Sequence, residues 1–168
     1  SGIPVRRFTF QVTKAVRCRA AAGETIEVRH FGNGVPNEHG YAMHISGIPD
    51  YRVGQEVLLF LNPPSTIGLT APVGLSQGLF AIKRDREGKA TIDLGPLRRR
   101  LLARDIEASR YTLSEGFTER ERRLLIEPPA RIDLDEFCEL VRKMSAERKR
   151  REGPEHEGDA RAGGGAGQ

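Results

Sequence analysis

The sequence contains no tryptophan and only two cysteines, Cys18 and Cys138. Two cysteines are too few for a disulfide framework, and two this far apart cannot form a zinc site without help from histidines. Two alternatives remain for them: a single bridge, if the protein is extracytoplasmic, or two reduced thiols, with Cys138 on the buried face of a helix. We expect no cofactor.

Long hydrophobic runs are also absent. No stretch of about 18 apolar residues occurs, which excludes a membrane-spanning helix. No signal peptide is visible. Because the chain begins at Ser1 and not at a methionine, we expect a processed or partial chain, so the missing signal carries little weight.

Apolar residues are concentrated in residues 5–94, whereas residues 147–168 contain no Val, Ile, Leu, Phe or Tyr. A segment of that composition cannot bury enough apolar surface to offset its ordering entropy. We therefore predict four regions. They are a β-barrel domain at 1–95, an irregular and short-helix connection at 96–132, a C-terminal helix at 133–152 and a disordered tail at 153–168.

The net charge of +4 is local, because much of it lies in the runs Arg98–Arg100 and Arg148–Arg151. Such runs can contact phosphates or an anionic surface. Asp and Glu residues are interleaved nearby, and this favours solvated helix faces.

Alternating and continuous apolar runs predict short strands, and their spacing is typical of a small barrel or sandwich. Phe8, Phe10 and Val12 alternate with polar residues, and so do Ile26 and Val28. The predicted strands are Val5–Thr13, Glu24–Phe31, Tyr41–Ile45, Val57–Leu61, Pro72–Ser76, Leu79–Arg84 and Ala90–Leu94, with a hairpin turn at Asp85–Gly88.

Helical patterns follow the strands. Leu97–Ile106 has the composition of one or two helical turns, and Thr118 with Glu121 forms a capping-box pattern before a short helix through Leu125. Asp133 is the predicted N-cap of the last helix. The apolar face of this amphipathic helix consists of Leu134, Phe137, Cys138, Val141 and Met144.

Three histidines, His30, His39 and His44, are the candidates for a metal site, with Glu38 adjacent. Their spacing matches no metal motif. The alternative, exposed histidines on strands or in a loop, is therefore favoured.

Catalytic patterns are equally sparse. Ser46 and Ser76 lack the frame of a nucleophile elbow, and Gly32–Gly34 is too short for a phosphate cradle. The acidic residues Asp133, Asp135 and Glu136 are explained by helix capping and the helix dipole. We therefore expect a protein that is not an enzyme, and a metal-dependent hydrolase is the least favoured alternative.

Nucleic-acid binding is a further alternative, since small barrels can stack single-stranded bases on aromatic residues. The candidate platforms are Phe8, Phe10, Phe31 and Tyr41. Phe8 and Phe10 share the apolar register of their strand, which favours a place in the core, and the basic runs lie outside the barrel. These observations argue against nucleic acid as the partner.

Four runs carry a resemblance to known domains: Phe8–Val12, Gly23–Val28, Ser46–Leu61 and Val73–Phe80. Residues 5–94 resemble a group of bacterial, mostly exported domains of uncharacterised function. Their strands are similar to the netrin and tissue-inhibitor-of-metalloproteinase type of OB barrel. The structural motif consists of Gly47, Pro49, Tyr51, Gly54 and Phe60.

Within the motif, the two glycines permit a sharp turn, Pro49 stiffens it and Tyr51 can plug the end of the barrel. Two features depart from the resemblance. An earlier strand usually precedes the Phe8 strand in these domains, whereas only seven residues precede Phe8 in this sequence, so we expect an incomplete barrel with an unpaired edge. Protease inhibition in the animal family relies on an amino-terminal cysteine, and Ser1 is not one.

The sequence thus predicts a mainly β fold, an OB-like small barrel with a C-terminal amphipathic helix and a disordered tail. The resemblance implies a secreted, extracytoplasmic or periplasmic protein, although the sequence itself identifies no compartment. The predicted function is non-catalytic binding of a protein or envelope component.

Overall fold

The structure is a computed structural model that describes residues 5–17, 20–32, 34, 36, 38–42, 45–100 and 116–152. The strands are β1 (Val5–Gln11), β2 (Thr25–Phe31), β3 (Val57–Leu59), β4 (Leu79–Arg84), β5 (Ala90–Asp93) and β6 (Arg131–Asp133). The helices are a 3-10 helix (Leu75–Gly78), α1 (described over 95–100), α2 (Glu119–Ile126) and α3 (Leu134–Glu152).

The first sheet is an antiparallel ribbon of β1 and β2, in which Phe8 lies opposite Val28 and Arg6 lies opposite His30. The predicted alternation is confirmed, because even-numbered residues of β1 are half-buried and odd-numbered ones are exposed. The backbone N–H of Val12 donates to the carbonyl of Glu24 at 2.8 Å, just beyond the end of the ribbon.

The second sheet has four antiparallel strands in the order β3-β4-β5-β6. The predicted hairpin turn joins β4 and β5. The Asp85 carboxylate accepts backbone N–H groups of Glu87 at 3.1 Å and Lys89 at 2.8 Å, which holds the turn closed.

The main core lies between this second sheet and α3. Its buried residues are Phe80, Ile92, Leu94, Ile132, Leu134, Phe137 and Cys138. The rings of Phe60, Phe80 and Phe137 pack at centroid distances of 5.6 to 6.4 Å. The apolar face predicted for the last helix is therefore the face that covers the sheet.

Cys138 is a free thiol within this core and is 1% exposed. Burial raises its pKa, so the thiolate is disfavoured and the side chain acts as a small apolar residue. Cys18, the other half of the bridge considered above, lies outside the described residues.

Both predicted helix caps are confirmed. Thr118 and Glu121 form a complete capping box at the start of α2, each side chain accepting the other residue's backbone N–H. The Asp133 carboxylate accepts the backbone N–H groups of Asp135 at 2.9 Å and Glu136 at 3.1 Å at the start of α3.

The ribbon is joined to the rest of the protein at its two ends. Arg142 of α3 donates to the Ala15 carbonyl at 3.0 Å, and Lys14 pairs with Asp135. At the other end the Thr70 backbone N–H donates to the Arg29 carbonyl at 2.9 Å.

Several strand predictions need correction. Tyr41, Ala42 and Ile45 are not in a strand, and Tyr41 is 76% exposed; the prediction at Met43 and His44 falls outside the described residues. The strand from Val57 ends at Leu59, because the Gly78 N–H donates to the Val73 carbonyl at 2.8 Å and does not return a bond to Phe60.

The predicted strand Pro72–Ser76 is wrong. Pro72 makes an isolated bridge to Leu61, and the chain then turns into the 3-10 helix through Gly74 and Leu75, both in the left-handed region at φ 60°. This turn brings Gly78 against β3.

The fold is thus two antiparallel sheets with a C-terminal helix, and the described residues do not form a closed barrel. Of the predicted helix Leu97–Ile106, residues 97–100 are helical and the remainder lies outside the described residues, as does the predicted tail at 153–168. Within the described ranges no helix is long and apolar enough to cross a membrane.

Gly78 offers a test of this packing. A Cβ at Gly78 would lie 2.8 Å from the backbone oxygens of Phe60 and Val73, so we expect Gly78→Ala to destabilise the fold by about 2 kcal/mol. Urea unfolding measures the loss. Gly116→Ala is the matched control because open space surrounds that position. Equal effects of the two substitutions would contradict this packing.

Candidate functional site

The inner face of the β1-β2 ribbon carries an unusual mixture of apolar, aromatic and charged side chains. Arg6, Phe8 and Phe10 from β1 share this face with Ile26, Val28 and His30 from β2. Two of the six can therefore form charged or hydrogen-bonded contacts, and both lie at the same end of the ribbon, since Arg6 is opposite His30.

The segment 48–51 covers this face. The ring of Tyr51 packs edge-on against Phe8 and Phe10, at centroid distances of 4.8 Å and 4.9 Å. Asp50 forms an ion pair with Arg6 at 2.8 Å. One aromatic contact and one ionic contact therefore hold the segment on the ribbon.

A small cavity of about 20 Å³ remains where the segment meets the ribbon. The ribbon and the glycines that follow it contribute Arg6, Phe8, His30, Phe31, Gly32 and Gly34. The covering segment contributes Ile45, Ile48, Pro49 and Asp50. We call this cavity the His30 pocket. Its volume suits one or two water molecules, or a polar group of that size.

His30 lines the pocket and is only 3% exposed. No hydrogen-bond partner for its Nδ1 or Nε2 exists within the described part of the chain. The ring instead lies against Phe8 at 5.5 Å and Tyr51 at 5.6 Å between centroids. Burial, and then the nearby Arg6, lower the pKa of His30 below 6.5, so the ring is neutral at pH 7.

The Tyr51 hydroxyl is a second buried polar group without a partner among the residues described. Burial raises the pKa of Tyr51 to about 12, so it stays protonated. Two hydrogen-bonding side chains on adjoining surfaces are thus left unsatisfied, which is rare in a folded interior.

Arg6 brings positive charge to the mouth of the pocket. Its guanidinium carbon lies 4.9 Å from the centre of the Phe8 ring, a cation–π contact. Gly34 lies close to Arg6, because a Cβ at Gly34 would lie 3.3 Å from Arg6 Nη1. Arg6 has five N–H donors, and its ion pair with Asp50 leaves donors available.

The three candidate metal ligands lie in different surroundings. The prediction that His30 is exposed is wrong, because the register that buries Ile26 and Val28 buries His30 too. His39 is exposed, with its Nε2 3.5 Å from Glu38 Oε1, and His44 lies outside the described residues. Among the residues that the structure describes, no three His, Cys, Asp or Glu side chains are placed to hold a metal ion.

The motif residues occupy turn and core positions. Gly47 at φ 85° and Gly54 at φ 79° lie in the left-handed region that favours glycine. Phe60 packs on the main core, and Pro49 lines the His30 pocket. Tyr51 covers the ribbon, where it contacts Phe8 and Phe10.

The four candidate stacking residues are divided between two environments. Phe8 and Phe10 are half-buried against Tyr51, whereas Phe31 and Tyr41 are exposed. Of these four residues, only Phe31 and Tyr41 are accessible for stacking with a nucleic-acid base.

Sequence reasoning missed Arg6 and Asp50, which join the pocket from distant parts of the chain. For Arg6 a signal exists, because it continues the inward register of Phe8 and Phe10.

The chain matches no protein-family model, no curated protein and no solved structure. The geometry alone therefore indicates what the pocket can do, which is to receive a small group with hydrogen-bonding capacity.

The buried neutral His30 predicts a pH dependence of stability. Above the unfolded-state pKa near 6.5, His30 is neutral in both states and the free energy of unfolding does not depend on its protonation. As the pH falls through 6.5 towards the lower folded-state pKa, the unfolded chain binds the proton more readily, and the free energy of unfolding decreases. We expect the free energy of unfolding to fall over this range by up to about 1.4 kcal/mol per pH unit. His30→Phe should remove this part of the decrease.

Urea unfolding at a series of pH values measures the effect. His39→Gln is the control and should retain the decrease, since His39 is exposed. A pH profile of His30→Phe parallel to that of the wild-type chain would contradict a buried, neutral His30.

Proposed function

We propose that this protein is a non-catalytic, exported domain that binds a protein or envelope component at the His30 pocket. The observation that carries the proposal is the buried His30, whose ring nitrogens have no partner among the described residues. A small, partly aromatic pocket with a few convergent polar groups is the usual form of a binding site.

The energetic argument concerns the cost of an unsatisfied polar group. Burying a hydrogen-bonding group without a partner costs about 1–3 kcal/mol, and His30 and Tyr51 each contain such a group. A ligand that supplies the missing hydrogen bond offsets that cost only in the complex. The pocket therefore gains stability when it is occupied, which supports binding as its role.

A protein partner is supported by the edge of β1. In the described part of the chain β1 pairs with β2 alone, so its outer edge presents backbone groups to a further strand. Extended segments of partner proteins add to such edges. In the OB-like barrel that the sequence resembles, a strand lies beside β1. We propose that a strand of the partner protein pairs with β1 at this edge.

Site-specific photocrosslinking in the native cells tests this proposal. A benzoylphenylalanine at exposed Thr9 of β1 should form discrete adducts with another protein, because the side chain borders the open edge. The same group at Glu87, in the turn between β4 and β5, is the matched control and should not. Identical adducts from both positions, or none from Thr9, would contradict the proposal.

A second candidate function is single-stranded nucleic-acid binding, and the outer face of the ribbon favours it. Arg7 lies directly opposite Arg29, and Phe31 on the same face is exposed. A pair of guanidinium groups beside an exposed ring is the combination that binds a phosphate and stacks a base. Arg29 also pairs with Glu27, which offsets part of the positive charge.

Fluorescence anisotropy with a labelled single-stranded DNA separates the two functions. If the protein binds a protein partner through the pocket, we expect no DNA binding even at low salt. Nucleic-acid binding would instead give an affinity that falls steeply with salt. In that case Arg7→Gln should remove one phosphate contact. The slope of the logarithm of the binding constant against the logarithm of the salt concentration should then fall by about one. Arg86→Gln, in the remote hairpin turn, is the control for net charge.

A further inference from the structure

We infer that the His30 pocket recognises a carboxylate group, and that Asp50 occupies the mouth of the pocket until such a group displaces it. The inference rests on the proposed binding function and deepens it, because it names the chemistry of the ligand.

The two side chains at the pocket that carry N–H donors, Arg6 and His30, both require an acceptor. A neutral histidine carries one N–H donor and one lone pair, and Arg6 carries donors only. They are cross-strand neighbours on the inner face of the ribbon, so their donors converge on the same space. A ligand with acceptor oxygens accepts from both residues at once, which pairs donors of Arg6 and one of the two His30 nitrogens.

The electrostatics favour a charged acceptor over a neutral one. Arg6 is a fixed cation, and His30 is close enough for its titration to be affected by that charge. Hydrogen bonds from a cation to a carboxylate are about twice as strong as bonds between neutral groups. The only acid lining the described pocket is Asp50, which is already engaged with Arg6.

The size of the cavity restricts the ligand further. About 20 Å³ accommodates one or two water molecules, which is the space that the oxygens of a carboxylate fill. A phosphate, with four oxygens, needs more room. The remainder of the ligand must lie outside, past the rim, where Gly34, Ile45 and Asp50 are exposed.

Asp50 shows how a carboxylate is held at this place. Its Oδ1 lies 2.8 Å from Arg6 Nη2, yet 63% of its side chain is exposed. An exposed ion pair of this kind contributes little to stability, so an external carboxylate can replace it at small cost. Asp50 is therefore a competitor for Arg6 and not a permanent partner.

NMR titration of the isotope-labelled full chain with sodium acetate tests the inference. We expect saturable shifts of the His30 and Tyr51 ring signals, and none with acetamide, which has the same shape without the charge. Arg6→Gln should weaken acetate binding by about tenfold. Arg86→Gln, in the remote hairpin turn, removes the same charge, is the matched control and should leave acetate binding unchanged. Equal losses in the two variants would show a general charge effect and overturn the inference.

Asp50→Asn is the second variant, and it is expected to fold because it removes only one exposed ion pair. Without the competing carboxylate, acetate should bind about two- to fivefold more tightly. Unchanged or weaker binding would overturn the role of Asp50. His30→Phe should abolish binding, and retention of binding in that variant would overturn the site.

A peptide distinguishes the source of the carboxylate. N-acetyl-Gly-Gly with a free C-terminus should bind more tightly than acetate if the ligand is the end of a protein chain, whereas its C-terminal amide should not bind. Acetate binding without a gain from the peptide indicates a free small acid. If crosslinking at Thr9 succeeds but acetate does not bind, the binding function stands and the carboxylate assignment fails.

Discussion

The packing of Tyr51 against Phe8 and Phe10 is the contact on which the His30 pocket depends. It places the segment 48–51 over the inner face of the ribbon. Without that cover, His30 would be open to water and its nitrogens would have solvent as a partner. The same contact leaves the Tyr51 hydroxyl buried without a described partner, so the interaction that builds the pocket also creates part of its unsatisfied polarity.

Among the described residues, most of the buried polar side-chain atoms without a partner lie in the ribbon and the segment that covers it, the ribbon half. The second sheet and α3 form an apolar core, and the helix caps and the hairpin turn are closed by hydrogen bonds. Outside the ribbon half, Arg99 Nε is the one buried side-chain polar atom of the described residues without a partner. The ribbon half has buried, unpartnered ring atoms and an edge open to pairing. Natural proteins tolerate such local costs where binding repays them. The contrast explains why the ribbon, and not the larger core, is the proposed functional region.

Much of the scaffold could be predicted from local sequence, because its signals are local. The alternation in β1 and β2 and the caps at Thr118 and Asp133 depend on residues close in sequence. The segment Pro72–Ser76 could not be predicted, since Leu75 adopts a left-handed conformation that its side chain disfavours. Strand β6 has three residues, too few for a period to show.

The site was harder to predict than the scaffold. The register of Ile26 and Val28 pointed to a buried His30, but a polar side chain is normally expected at the surface. The pairing of Arg6 with Asp50 depends on how the segment 48–51 docks, which no local pattern reveals.

The central claim is that the His30 nitrogens have no partner among the described residues and are available to a ligand. The most direct test is the free energy of unfolding of His30→Phe at pH 7, measured with urea against the wild-type chain. Replacing an unpartnered buried group with an apolar ring of similar shape should leave stability unchanged or raise it by about 1 kcal/mol. A loss of about 2 kcal/mol or more would mean that His30 makes hydrogen bonds inside the protein, and would contradict the account.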